Sequence, residues 1–259
     1  MKNIISLLVL ICSVAVIIVS CAKKSDTSST STDTSASGSS TTDNTTIGTG
    51  TGTTASGTIS GIDGLTGIFN MSYYGQEPSG GCIDNSTAVA TFVSLSSVPS
   101  DTLAFKKQMI FTSSTTFTES LQYYSDASCA TLTGYFNLLY ADVLVGDSLS
   151  GLTAGSSPPR PTTAKKVSYN EDFTALKSNT DTTTSFFSTL LGASGLAALG
   201  FTQGTELKIT NDGDAEVNIW QTVIPSGSTE TYLVMGNKSA STYPTDWGSD
   251  VDIYWKPSE

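Results

Sequence analysis

The chain of 259 residues contains no histidine. Without an imidazole the usual acyl-transfer triads have no base, and the commonest zinc sites lose a principal ligand. Charge is also scarce: ionisable Asp, Glu, Lys and Arg make up 14% of the chain, with 12 basic residues against 23 acidic ones. The resulting net charge of −11 makes nucleic acid and anionic lipid surfaces poor partners, since both repel the chain before contact. Phosphate-cradling glycine loops are missing, as are the Gly-x-Ser-x-Gly elbow and the His-Glu-x-x-His helix. The acids that remain fall mainly in turns, as Asp126, Asp147, Asp181, Asp212 and Asp214 do, so no paired-carboxylate hydrolase is signalled. These absences predict a non-enzyme with no metal and no organic cofactor.

Long apolar stretches are equally rare, and the conspicuous one lies at the start. Lys2 precedes the run Ile4 to Val19, and Ile18-Val19-Ser20-Cys21 closes it just before Lys23-Lys24. The run is short for a comfortable membrane span and ends on a small residue followed by a thiol. This order resembles the signal of bacterial lipoproteins, and Val-Ser before the Cys, where Ala-Gly is commoner, matches the spirochaetal type. The resemblance implies a signal peptide over residues 1–20 and lipidation at Cys21. It also implies a membrane partner through the N-terminal anchor and an extracytoplasmic address at the outer membrane or cell surface. An uncleaved anchor helix ending at Val19 is the alternative, and it gives the same address.

Cysteine is sparse too, with 4 in the chain. Cys12 falls in the signal and Cys21 at its end, which leaves Cys82 and Cys129. A remaining pair in an extracytoplasmic domain reads as a disulfide, one that stabilises the fold by about 3–4 kcal/mol. A metal-binding thiol pair is the weaker reading, because neither histidine nor a Cys-x-x-Cys spacing accompanies it.

What is abundant comes in blocks. Ser, Thr, Gly and Asp dominate Ser25 to Ser56, where no aromatic side chain occurs, so residues 21–59 read as a disordered tether with a root-mean-square span of about 30 Å. Residues 60–259 read as one folded domain. Gly67 to Tyr74 predicts a first strand, and Thr87 to Ser96 a second strand or an irregular segment. The clearest signal is a hairpin of Leu103 to Phe111 and Phe117 to Tyr124. Its odd positions are apolar except for Lys107 and Glu119, and an odd loop count around Thr112 to Thr116 keeps odd opposite odd. That register makes Lys107 and Glu119 direct or diagonal neighbours and predicts an ion pair on an apolar face. Gly134 to Leu149 predicts a long central strand, Ser156 to Pro161 a loop, and Ala164 to Tyr169 a short strand. Asp181 to Leu199 has helical spacing, to pack on the outer wall or to lie over a mouth. Thr205 to Thr210 and Ala215 to Val223 predict a second hairpin around Asn211-Asp212-Gly213-Asp214, a turn in preference to a calcium loop. Leu207 and Ile209 would then share a face with Val217, Ile219 and Val223. Glu230 to Met235 and Asp250 to Trp255 complete the strands.

Gly67-Ile68-Phe69, Cys82, the Phe-containing hairpin, Tyr124, Asp126, Cys129 and the closing Tyr254-Trp255-Lys256 together resemble the lipocalin-like domains of bacterial lipoproteins. Phe69 stands where the commoner pattern has Trp. The resemblance implies a mainly β fold, an antiparallel lipocalin-like barrel of about eight to ten strands with one helix. Two functions are compatible with it. In one, the barrel holds a small apolar or amphipathic ligand, with Phe105, Met109, Phe117, Leu121 and Tyr123 as wall and Lys107 with Glu119 as polar contacts. In the other, the domain is a surface-displayed adhesin or interaction module for a host or cell-surface protein.

Overall fold

The computed structural model describes residues 57–72, 77–84, 86–156, 159–210, 215–248 and 251–256. The signal segment, Cys21, the tether to residue 56, Tyr73 with Tyr74, and the acidic Asn211 to Asp214 lie outside the described residues. Residues 57–59, expected in the tether, belong to the folded body, and Ile59 is buried in its core.

Eight antiparallel strands close a barrel. In chain order they are Ile68–Met71 (β1), Ala104–Phe111 (β2), Phe117–Tyr124 (β3), Leu132–Ser150 (β4), Thr163–Ser178 (β7), Ala215–Val223 (β9), Thr231–Met235 (β10) and Asp252–Lys256 (β11). Each pairs with the next, and β11 returns to β1 through Asn70↔Trp255 and Met71↔Tyr254. Closure joins the first and last strands, while beyond Tyr140 the long β4 has β7 as its one strand partner among the described residues. The long β4 and β7 pair from Gly134↔Ser178 to Ser150↔Thr163, with three register shifts that bend the ribbon around the barrel. The expected short strand at Ala164 to Tyr169 is thus the first half of a much longer one, whose polar Asn170-Glu171-Asp172 concealed its continuation.

Both poles are covered. At one, the turn after Gly57 folds Ile59, Ile62 and Leu65 into the core, and the Gly57 amide donates to Phe111 O at 3.1 Å. At the other sit two helices, Ser86–Ser94 (α1) and Asp181–Ala193 (α2), where one was expected. The strand or irregular segment expected at Thr87 to Ser96 is α1. Its β-branched residues favoured the strand reading, but Val89 and Phe92 are one helical turn apart and both bury, Phe92 edge-on to Phe105 at 5.7 Å. Tertiary packing overrides propensity there.

Helix α2 starts where Thr180 Oγ1 accepts from the Thr183 amide at 3.2 Å and donates to Asp101 at 2.7 Å. Phe187 and Leu191 are buried against the barrel, worth about 1.5–3 kcal/mol each. The helix approaches so closely that a Cβ on Gly134 would sit 2.6 Å from Thr183 Cγ2. It ends at Ala193, ahead of the expected Leu199, and a short 3-10 turn occupies Ala197–Leu199.

The expected second hairpin does not form. Leu207–Thr210 (β8) pairs with β7 at Leu176↔Leu207 to Phe173↔Thr210, and β9 pairs with the same edge from Asn170↔Ala215 to Lys165↔Trp220. β8 and β9 therefore run in the same direction along one partner. Because β7 reverses its facing at the shift beside Glu171, Leu207 and Ile209 pack on the interior core, whereas Ile219 and Val223 join a separate outer cluster. That cluster holds Tyr232, Val234, Ile253, Trp255 and Trp247, whose indole donates to Pro161 O at 2.7 Å. The proline-rich connection beside it carries a two-stranded ribbon, Gly155–Ser156 (β5) with Pro159–Arg160 (β6), rather than loop alone. Among the described residues no helix is long and apolar enough to cross a membrane.

Candidate functional site

The β2–β3 register sets the interior. Phe111 opposes Phe117, Met109 opposes Glu119, Lys107 opposes Leu121 and Phe105 opposes Tyr123, so the odd positions of both strands point inward. The even positions carry a hydrogen-bonded ladder outside, Gln108 to Asn70 at 2.8 Å and Gln122 to Gln108 at 3.0 Å.

Around Phe117 the barrel is solid. Phe117 stacks on Tyr140 at 4.5 Å between ring centres and meets Trp220 edge-on at 5.3 Å, while Tyr169 and Trp220 lie 5.4 Å apart. Phe105, Met109 and Phe117 are buried members of this core.

Lys107 Nζ lies 2.9 Å from Glu119 Oε1, as diagonal neighbours, and the lysine side chain is 2% exposed. Burial works against the ammonium, but the Glu119 carboxylate, the Asp252 charge and the hydrogen bond to Glu119 outweigh it and hold the pKa above the usual lysine value. Burial likewise works against charge on Glu119, whose carboxyl is nevertheless held below its usual value by Lys107 and Lys238. Tyr254 reaches the same carboxylate at 3.4 Å.

Lys238 enters from a bulge. Met235 opposes Trp220 and Ser239 opposes Val217, so one extra residue is accommodated and Lys238 turns inward. Gly236 permits this, since a Cβ there would come within 2.7 Å of Ile219 Cγ1. The ammonium sits 3.1 Å from Glu216, 3.9 Å from Glu171 and 3.4 Å from the Tyr140 hydroxyl. Burial raises the Glu216 pKa despite this partner. The interior charges are thus engaged with one another, and among the described residues no group of three or more Cys, Asp or Glu could hold a metal ion.

Above this layer, at the helix-covered mouth, lies an open cleft of about 680 Å³. Leu121, Tyr123 and Phe136 form its floor, Val93, Leu95 and Val98 one wall, and Phe186, Leu190 and Ala193 the other. α2 therefore carries two apolar stripes: Phe187 and Leu191 bind it to the barrel, and Phe186, Leu190 and Ala193 face the cleft. Of the wall residues expected from the sequence, Leu121 and Tyr123 line this cleft. Phe105, Met109 and Phe117 lie in the packed core, and Lys107 stands opposite Leu121 with its ammonium on Glu119, one inward position deeper. The helical cleft residues were not anticipated. The spacing of Val89, Phe92 and Val93, and the width of the apolar face from Phe186 to Ala193, were the signals that could have found them.

Cys82 and Cys129 are joined by a disulfide. It ties the segment leading into α1 to the β3–β4 loop, where Asp126 accepts from the amides of Ser128 at 2.9 Å and Ala130 at 3.1 Å. The Ser128 hydroxyl, then the Ala130 and Thr131 amides, donate to the Asp126 carboxyl and hold it well below the usual range. No protein-family model and no curated protein matches this chain.

Proposed function

We propose that this protein is an extracytoplasmic lipoprotein, acylated at Cys21, whose barrel domain binds a small apolar or amphipathic molecule at the mouth cleft between α1 and α2. The observation that carries the reading is the cleft itself: about 680 Å³ with aliphatic and aromatic walls. That volume lies within the ~300–1,000 Å³ of pockets that hold one small ligand. The interior beside Phe117 is already packed, so the binding surface moves from the barrel lumen to its rim. Support for the anchor comes from the Lys2, Ile4 to Val19 and Cys21 order, joined to a Ser/Thr-rich tether.

The binding half is tested with a neutral naphthylamine fluorophore titrated into the purified full chain. A saturable rise in emission at one site, abolished by Ala193→Trp, is expected. A linear response, or one unchanged in the variant, overturns the reading. The anchor half is tested by feeding cells an alkyne fatty acid, with label expected on the chain and lost in Cys21→Ser; equal label in both overturns it.

A further inference from the structure

Among the described residues, the lining of the mouth cleft contains no Lys, Arg, Asp or Glu. What it offers besides hydrocarbon is hydroxyl: Ser96, Ser97 and Ser100 on the segment after α1, Thr182, Ser185 and Thr189 along α2, and the Tyr123 phenol. Ser96, Ser100, Ser185 and Thr189 are exposed, whereas Tyr123 and Phe136 at the floor are buried. The cleft is thus mainly apolar at depth, with the Tyr123 phenol and the buried Ser97 as its polar groups there, and hydroxylated at its edge. We propose that it accepts a single-chain amphiphile with an uncharged, hydroxyl-bearing headgroup, its chain on Leu121, Tyr123 and Phe136 and its head at the Ser96, Ser100, Ser185 and Thr189 rim. This rests on the binding function proposed above and adds the ligand class.

The charges around the cleft exclude an anionic head. Lys107, directly opposite Leu121, is committed to Glu119 at 2.9 Å, so among the described residues the cation beside the floor is already paired. The N-terminus of α2 would ordinarily attract an anion. Here it already has Asp181 in its first turn and the Asp101 carboxylate, which accepts from Thr180 at 2.7 Å and Thr183 at 3.4 Å. An anionic head would meet like charge at that end, within a chain of net charge −11. A cationic head has no acid in the lining to answer it and would be desolvated against hydrocarbon without a partner. An uncharged polyol head gives hydroxyl for hydroxyl, and each such bond discriminates by about threefold to tenfold.

The position of the cleft fits a ligand taken from solution. Gly57, where the chain enters the fold, bonds to Phe111 at one end of β2, and the cleft lies beyond the other end at Ala104. The two are separated by about 23 Å along the strand. The cleft therefore opens away from the point where the tether attaches.

The test uses calorimetry on the full chain below micelle formation, with monodecanoylglycerol, decanoate and decyltrimethylammonium, which share a ten-carbon chain. Monodecanoylglycerol is expected to bind one to one, with each charged amphiphile at least about tenfold weaker. Lengthening the monoacylglycerol chain should strengthen binding by about fourfold per methylene until the cleft is filled. Ser185→Ala with Thr189→Val should weaken the glycerol ester by about threefold to tenfold and leave decan-1-ol nearly unchanged. Equal or tighter binding of decanoate or of decyltrimethylammonium overturns the headgroup assignment and leaves apolar binding standing. Absence of saturable binding by any amphiphile, or binding that survives Ala193→Trp, overturns the binding function itself.

Discussion

Lys107 and Glu119 place a full ion pair where hydrocarbon would be cheaper. Removing Glu119 leaves the buried Lys107 with only the Asp252 charge to offset its desolvation, so Glu119→Gln is expected to cost up to about 3–5 kcal/mol in urea unfolding. Replacing both, as Lys107→Met with Glu119→Leu, should restore stability to near or above the parent, because a packed apolar pair carries no desolvation penalty. The pair also sets an acid limb. Glu119 has a folded pKa below the ordinary carboxyl value of 4.5, so its contribution is present above that pH and is lost as pH falls through the folded value. Unfolding midpoints followed from pH 7 to pH 3 should fall less steeply in the double variant than in the parent. This pair was legible because alternation in two adjacent strands needs only local sequence. Lys238, Glu171 and Glu216 were not, since a bulge beside Gly236 turns the lysine inward and no local pattern encodes that meeting.

At the scale of elements, the two helices decide whether the mouth is walled. α1 hid behind its Val and Thr content, and its helical state comes from burying Val89 and Phe92 on the barrel end. The β8–β9 misassignment has a different origin. Asp-Gly between two apolar runs is an ordinary hairpin signal, but the long edge of β7 offers pairing to both segments, and satisfying that edge outweighs local turn chemistry. α2 was legible from its spacing, although its second stripe gained meaning only once α1 faced it. Because Thr180 both caps α2 and ties it to Asp101, Thr180→Ala should lower stability by about 1 kcal/mol or slightly more. Amide hydrogen exchange should quicken across the first turns of α2 while the β2–β3 ladder stays protected; uniform quickening in both would mean that the helix has no stability of its own to lose.

For the molecule as a whole, the barrel was legible through the resemblance to lipocalin-like domains and the disulfide through cysteine bookkeeping, whereas the location of open volume was not. Filling is a property of which large side chains meet, and Phe117, Tyr140, Tyr169 and Trp220 come from four strands spread along the chain. The Cys82–Cys129 bridge closes a separation of 47 residues, so its reduction is expected to lower the unfolding free energy by about 4 kcal/mol. The loss should be read by comparing urea midpoints with and without reductant. Since the bridge holds the approach to α1, ligand affinity at the mouth should fall with it.

The entry of the chain at Gly57 has a mechanical side. Load arriving from the N-terminal direction falls first on the Gly57 to Phe111 hydrogen bond and on the stopper made by Ile59, Ile62 and Leu65. Tugging there would strip a small turn from the far end of the barrel before either helix felt the force, so that turn is the joint that yields first.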